Sequence, residues 1–146
     1  MQIEIKIDSS YTEPKIIVVT ASMTEDVNMI IKKLSMDSPQ IISGMKDDKL
    51  EVLEQTDLIR MYANSGKIYA VTDKGEYVVR LRLYELEERL DKNQFVRISN
   101  SEIINLRKVE NFDLSFTGTI CVKLSNGFTT YVSRRYVSKI KQILGV

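Results

Sequence analysis

The stretch Phe95-Val-Arg-Ile-Ser-Asn-Ser-Glu-Ile-Ile-Asn105 decides how this chain folds. Apolar and polar residues alternate from Gln94 to Ser99, which is the period of a half-buried β-strand. A second β pattern begins at Ile103, beyond the polar segment Ser99-Asn100-Ser101. We therefore expect this stretch to contribute two strands to a sheet.

The residues on the N-terminal side of this stretch form short strand patterns separated by turn residues. Asn64-Ser65-Gly66 and Asp73-Lys-Gly75 each lie between two runs rich in β-branched and aromatic residues, which is typical of hairpins. Leu83, Leu86 and Leu90 then place one apolar stripe on a short helix.

The residues on the C-terminal side continue the β pattern. Ser125-Asn126-Gly127 separates two further strand patterns and predicts an Asn-Gly hairpin. Ser133 is predicted to cap a last helix, whose apolar stripe runs from Val137 to Leu144 and whose polar residues are mostly cationic. The fold class predicted from these patterns is α+β and mostly β.

Residues 1–43 are predicted to form a small strand–helix extension. Residues 2–7 alternate as a half-buried strand, and Lys15 to Thr20 is a β-branched run that predicts a strand covered on both faces. Ser22 and Glu25 have the spacing of a capping box in front of a helix. A short strand from Gln40 to Ser43 could follow. Because about 43 residues can hardly support a core of their own, we expect this unit to pack on the rest of the chain or on a second copy.

The sequence has no histidine and a single cysteine. Without histidine there is neither a Ser-His-Asp triad nor an imidazole metal ligand. Cys121 lies in an alternating apolar run, where a free cysteine packs as a small hydrophobe, and one thiol alone cannot form an intrachain disulfide. There is also no glycine-rich phosphate loop. We therefore expect no enzyme: no catalytic residues, no metal and no cofactor.

Charge is distributed unevenly along the chain, although the formal net charge is only +1. Residues 1–73 carry 8 Lys and Arg against 12 Asp and Glu, whereas residues 74–146 carry 13 against 8. A basic C-terminal part beside an acidic N-terminal part indicates a nucleic-acid contact face on the basic part. Chance is the alternative explanation, because an imbalance of this size is unusual but not rare.

The order of these segments resembles the LytTR-type DNA-binding domain of bacterial transcriptional regulators. The family signature F-x-R-x-x-x-S-x-x-x-N stands here as Phe95, Arg97, Ser101 and Asn105. A second signature, a hydroxyl residue followed by arginines before the last helix, stands as Ser133-Arg134-Arg135. The resemblance covers residues 44–146 and implies a LytTR-like, elongated domain of several β-sheets with short helices, preceded by the extension 1–43.

The resemblance implies that loops, rather than a recognition helix, enter the major groove of DNA. The candidate contacts fall in three segments: Asn64, Ser65 and Lys67; Ser99, Asn100 and Ser101; and Arg134, Arg135 and Lys139. The family often carries a larger polar or basic residue where Gly66 stands, so Lys67 could take over that contact.

Each candidate has a physical role and a plainer alternative. Arg134 and Arg135 can bond guanine or phosphate, or simply face solvent. Asn100 can pair with adenine or cap a turn. The lysines can neutralise phosphates or remain solvated. Arg97 and Asn105 are interpreted as structural, with the Arg97 guanidinium bracing loop carbonyls.

The function predicted from the sequence is a sequence-specific transcriptional regulator that binds promoter repeats in double-stranded DNA. The alternative is a protein-interaction module of LytTR-like fold without specific DNA binding. A homodimer is expected because repeated sites need two copies of a reader. The resemblance also implies, as a possible partner, a membrane-protein regulator encoded nearby. The chain has neither a span of bilayer length nor a signal-peptide pattern, so we expect a cytoplasmic protein.

Overall fold

The computed structural model describes residues 1–34 and 41–146. The chain divides into two compact units, Met1–Pro39 and Gln40–Val146, which are described separately.

The second unit is built around a seven-stranded antiparallel sheet with the order β2-β1-β5-β4-β3-β7-β6. Its strands are β1 Ile42–Lys46, β2 Lys49–Leu53, β3 Arg60–Asn64, β4 Lys67–Thr72, β5 Gly75–Val79, β6 Phe95–Ser99 and β7 Glu102–Asn105. The turn between β1 and β2 has only two residues, because β1 runs on to Lys46 and pairs there with Lys49. Asp47 and Asp48 both adopt positive φ, which a two-residue hairpin turn requires and which aspartate tolerates.

A three-stranded antiparallel sheet with the order β10-β9-β8 follows in the chain. It consists of β8 Val109–Asp113, β9 Ile120–Leu124 and β10 Thr129–Val132. The predicted Asn126-Gly127 turn is confirmed: Asn126 Oδ1 accepts the Phe128 N–H at 3.1 Å and Gly127 has φ 85°. Two helices complete the unit, α2 Leu83–Arg89 and α3 Arg134–Leu144, with short 3-10 turns at Gln55–Asp57 and Leu106–Lys108.

The seven-stranded sheet separates two apolar cores. Leu86 of α2 packs in the first core with Ile103, on one face of the sheet. The neighbouring Ile104 packs in the second core with Val122 of the small sheet and Ile140 of α3. Because successive residues of a strand point to opposite faces, β7 contributes to both cores. The predicted mostly β architecture with short helices is confirmed.

The first unit contains the predicted helix, α1 Glu25–Leu34. The two predicted strands are wrong: residues 1–24 contain no strand, and Ile5 and Val19 are 83% and 92% exposed. The reason is that a strand needs a partner for its backbone N–H and C=O groups, and neither segment is paired in the described part of the chain. The predicted cap is also wrong, because Thr24 Oγ1, not Ser22, accepts the Val27 N–H at 3.4 Å. Gln40, where a short strand was predicted to begin, lies outside the described residues.

Candidate nucleic-acid interface

Three of the predicted contact segments meet at one end of the seven-stranded sheet. The Ala63 N–H donates to the Ser101 carbonyl at 2.8 Å, which places the β3–β4 turn beside the β6–β7 turn. The Ser133 N–H donates to the Ile98 carbonyl at 2.9 Å, which places the start of α3 beside the same β6–β7 turn. The fold therefore brings together residues that are 70 positions apart in the sequence.

The β3–β4 turn is a tight two-residue connection. Asn64 and Lys67 are directly opposite each other in the register, and Ser65 and Gly66 have φ of 52° and 78°. Positive φ at both central positions is the geometry that matches the twist of a hairpin. All four residues of the turn are exposed, and a Cβ added at Gly66 would meet nothing within 4 Å. Asn64, Ser65 and Lys67 are thus presented to solvent on a rigid base.

The β6–β7 turn is braced from behind by Arg97. The Arg97 Nε donates to the Ser99 carbonyl at 2.8 Å, and its Nη2 donates to the Asn100 carbonyl at 2.5 Å. Its Nη1 forms an ion pair with Glu87 of α2. The predicted structural role of Arg97 is confirmed. Because the guanidinium holds the backbone carbonyls, the side chains of the turn face outward: Asn100 and Ser101 are exposed and Ser99 is half-buried.

Asn105 is also structural, as predicted. It is 1% exposed; its Nδ2 donates to the Leu58 carbonyl at 2.8 Å and its Oδ1 accepts the Arg107 N–H at 3.0 Å. A buried amide that is satisfied on both sides ties the far end of β7 to the segment before β3.

The start of α3 presents two adjacent arginines. Ser133 occupies the N-cap position, as predicted, but its side chain makes no capping hydrogen bond. Arg134 and Arg135 are exposed. A Cβ added at Gly118 would lie 3.3 Å from the Arg134 Nε, so the Arg134 side chain passes over the turn that precedes β9. Arg135 has no such neighbour among the contacts of the described chain.

Tyr136 links α3 to the β6–β7 turn. Its hydroxyl donates to the Asn100 Oδ1 at 3.3 Å, while its ring packs against the second core. This contact uses the carbonyl oxygen of the Asn100 amide, so the amide NH2 group remains a donor. Tyr136 therefore packs against the second core and holds the Asn100 amide at the same time.

Lys139 lies apart from the other candidates. It is exposed one helical turn beyond Arg135 on α3, about 6 Å along the helix axis. It lines a groove of about 530 Å³ together with Glu87, Glu88 and Arg97. The structure thus joins three segments into one surface and leaves Lys139 beside the acidic face of α2.

A buried ion pair that the sequence reasoning missed lies between β3 and β7 of the seven-stranded sheet, next to this surface, and is bonded by Thr130 of the small sheet. The Arg60 Nε lies 2.5 Å from Glu102 Oε2, and the two side chains are 11% and 9% exposed. Thr130 of β10 donates to Glu102 Oε1 at 2.5 Å. The Arg60 guanidinium lies between the Tyr62 ring at 4.1 Å and the Phe128 ring at 3.9 Å. The signal in the sequence was Glu102 itself, an acidic residue directly before an apolar strand.

A tyrosine pair stiffens β3 and β4 behind their turn. The rings of Tyr62 and Tyr69 stack with centroids 5.1 Å apart, and the Tyr62 hydroxyl donates to Glu76 Oε1 at 2.8 Å. Burial raises the pKa of Tyr62, and the hydrogen bond to Glu76 raises it further. The phenol therefore stays protonated and remains a donor at neutral pH.

Across residues 1–34 and 41–146, no cluster of three acidic or cysteine side chains could hold a metal ion. No helix within these ranges is long and apolar enough to cross a membrane.

Comparisons with known proteins agree on one family. The model of the LytTr DNA-binding domain matches residues 48–145. Two Staphylococcus aureus proteins, from strains NCTC 8325 / PS 47 and COL, are described as HTH-type transcriptional regulators; each is 31% identical over 100% of this chain and 99% of its own length. The LytTr DNA-binding domain of a putative methyl-accepting/DNA response regulator from Bacillus cereus has a similar fold, with a TM-score of 0.71 and 21% identity over 75% of this chain and 100% of that one.

Proposed function

The chain belongs to the LytTr DNA-binding domain family, and from this membership we propose that it is a transcriptional regulator that binds specific sites in double-stranded DNA. The Staphylococcus aureus relatives, which match over the full length, support the regulatory role. The observation that carries the proposal is the convergence of the two turns and the start of α3 on one exposed, polar surface.

This surface would read DNA with turns and a helix start. The major groove of DNA admits a two-stranded β-ribbon, so it can also admit the β3–β4 and β6–β7 turns. The side chains that point outward from these turns can form hydrogen bonds. Their backbones are held by Arg97 and by the pairing of β3 with β7, so little ordering entropy remains to be lost on binding.

We assign the base contacts to the side chains whose donors are free. Arg135 can donate two parallel hydrogen bonds to guanine O6 and N7. Asn100 would act chiefly through its NH2 group, because Tyr136 already donates to its oxygen. Arg134, which lies over the turn before β9, suits a phosphate oxygen.

The remaining candidates would position the protein on the DNA backbone. Asn64, Ser65, Ser99 and Ser101 offer short polar groups for phosphate or sugar oxygens. Lys67 and Lys139 would neutralise phosphates, and their contribution falls as salt rises. Because Lys139 is separate from the other candidates, it would serve the flank of the site.

The protein would act in the cytoplasm as a homodimer in which each copy reads one half of a repeated site. A membrane-protein regulator encoded nearby stays a prediction.

The test is a fluorescence-anisotropy titration with duplexes from the region upstream of the protein's own gene, at two salt concentrations and against scrambled competitor. Arg135→Ala should weaken specific binding by about 1–3 kcal/mol. Arg107→Ala is the matched control, since it removes the same charge from an exposed site at the opposite end of β7. If no duplex outcompetes scrambled DNA, specific reading is excluded and the interaction-module alternative takes its place.

A further inference from the structure

The first unit leaves most of its apolar side chains uncovered. Ile3, Ile5 and Ile7 are 83%, 83% and 93% exposed, and more than half of the large exposed apolar residues of the described chain belong to residues 1–34. Only Val27 of α1 is buried there. A unit of this size cannot support an apolar surface of this extent in water without a partner.

The sequence of the first segment is complementary to itself. If two copies of residues 2–8 pair antiparallel with Ile5 opposite Ile5, then Ile3 lies opposite Ile7 and Glu4 lies opposite Lys6. The two-fold axis repeats each contact, which gives two Glu–Lys pairs and one continuous apolar face.

Neighbouring registers lose this match. A shift that places Glu4 opposite Glu4 or Lys6 opposite Lys6 puts like charges on the two-fold axis, and like charges directly opposite each other are destabilising. A parallel pair would also bring equal charges together. Pairing with the chain's own Lys15–Thr20 offers Lys15 as a single opposite charge for Glu4 and offers none for Lys6.

We propose that residues 2–8 form the homodimer interface, as an antiparallel strand pair between two copies of this chain centred on Ile5. The inference deepens the homodimer of the proposed function by naming its surface. A two-stranded ribbon alone is marginal. In the proposed dimer, the edge of each strand that faces away from the other copy pairs with the Lys15–Thr20 segment of its own chain. A connector of six residues is long enough to bring that segment alongside, and the result is a four-stranded sheet.

Disulfide trapping tests the register in the full-length chain with Cys121→Ser. Ile5→Cys places two thiols opposite each other, at a Cα separation of about 4.5–5.5 Å that a disulfide can span. Ile3→Cys is the matched control, because Ile3 is equally exposed but would face Ile7 of the other copy. Mild oxidation should convert most of the Ile5→Cys protein and little of the Ile3→Cys protein to covalent dimer. Equal trapping of both variants overturns the register.

Charge reversal tests the same interface without any thiol. Analytical ultracentrifugation should show a dimer for the unaltered chain. Lys6→Glu should raise the Kd of dimer dissociation about tenfold, and Glu4→Lys/Lys6→Glu should restore the original Kd. A monomeric unaltered chain, or a dimer indifferent to Lys6→Glu, overturns the proposal. These readouts need no DNA. Binding of Lys6→Glu to a single half-site duplex separately reports whether the DNA-reading function is intact.

Discussion

Removing the Glu102 carboxylate should destabilise the second unit far more than removing any surface carboxylate. Glu102→Ala leaves the Arg60 guanidinium buried without its counter-charge, and Thr130 loses its acceptor. Removing one partner of a buried ion pair costs about 3–5 kcal/mol. Arg60 keeps its contacts with the rings of Tyr62 and Phe128, so we expect about 3 kcal/mol, at the low end of that range.

Urea unfolding measures this difference directly. With an m value of about 1.5 kcal/mol/M, a loss of about 3 kcal/mol lowers the midpoint by about 2 M. Glu110→Ala is the control, because Glu110 pairs with Lys123 at 3.7 Å and both side chains are about half exposed. Such a surface pair is worth about 0–1 kcal/mol.

A double variant shows whether the pair itself is responsible. Arg60→Met/Glu102→Ala removes both charges, so no buried guanidinium is left unpaired, and the double variant should recover at least about 1 kcal/mol relative to the sum of the single changes. If Glu102→Ala lowers the midpoint no more than Glu110→Ala, or if the two single effects simply add, the role assigned to this ion pair is refuted.

Four further substitutions distinguish residues that support the candidate DNA-binding surface from residues that would contact DNA. Gly66→Ala places a side chain at φ 78°, which should lower the free energy of unfolding by about 1–2 kcal/mol and weaken DNA binding. Gly127→Ala, at φ 85° in the β9–β10 turn, should lower the stability by the same amount but leave DNA binding unchanged. Thermal melts measure the stability of both variants, and fluorescence anisotropy measures their DNA binding. Asn105→Ala orphans the buried Leu58 carbonyl and should destabilise by about 1–3 kcal/mol in urea. Lys67→Ala should weaken binding to specific and scrambled duplexes alike. It should also reduce the slope of the logarithm of the binding constant against the logarithm of the salt concentration by about 1. An unchanged slope excludes a phosphate contact of Lys67.

The local signals in the sequence were sufficient for the turns. Asn126-Gly127 and Ser65-Gly66 were predicted correctly because positive φ is a property of the turn residues themselves. The stripe of Leu83, Leu86 and Leu90 likewise predicted α2 without knowledge of what covers it. The pairing of β3 with β7 is different: it joins segments about 40 residues apart, and no local pattern specifies it.

The errors in residues 1–24 have the opposite cause. Alternation correctly identifies a segment that can form a strand, but a strand exists only when its backbone groups are paired. In the described single chain no neighbour provides that pairing, and Ile3, Ile5 and Ile7 stand in solvent. The same alternation is the starting point for the proposed strand pair around Ile5.

Arg60 and Glu102 were missed because their pairing depends on the tertiary structure. Their positions are 42 residues apart, so only the folded sheet shows that they pair. Arg97 and this ion pair lie behind the β6–β7 turn, whereas Asn105 ties the far end of β7 to the segment before β3. The contacts of Arg97 hold the backbone that carries the exposed polar side chains of the β6–β7 turn. In the proposed complex, a backbone that is fixed in advance limits how far these side chains can shift when a base presents the wrong acceptors, so the affinity for that sequence falls. Variants of the buried residues should consequently reduce discrimination between specific and scrambled duplexes, while variants of the exposed lysines should reduce affinity for both.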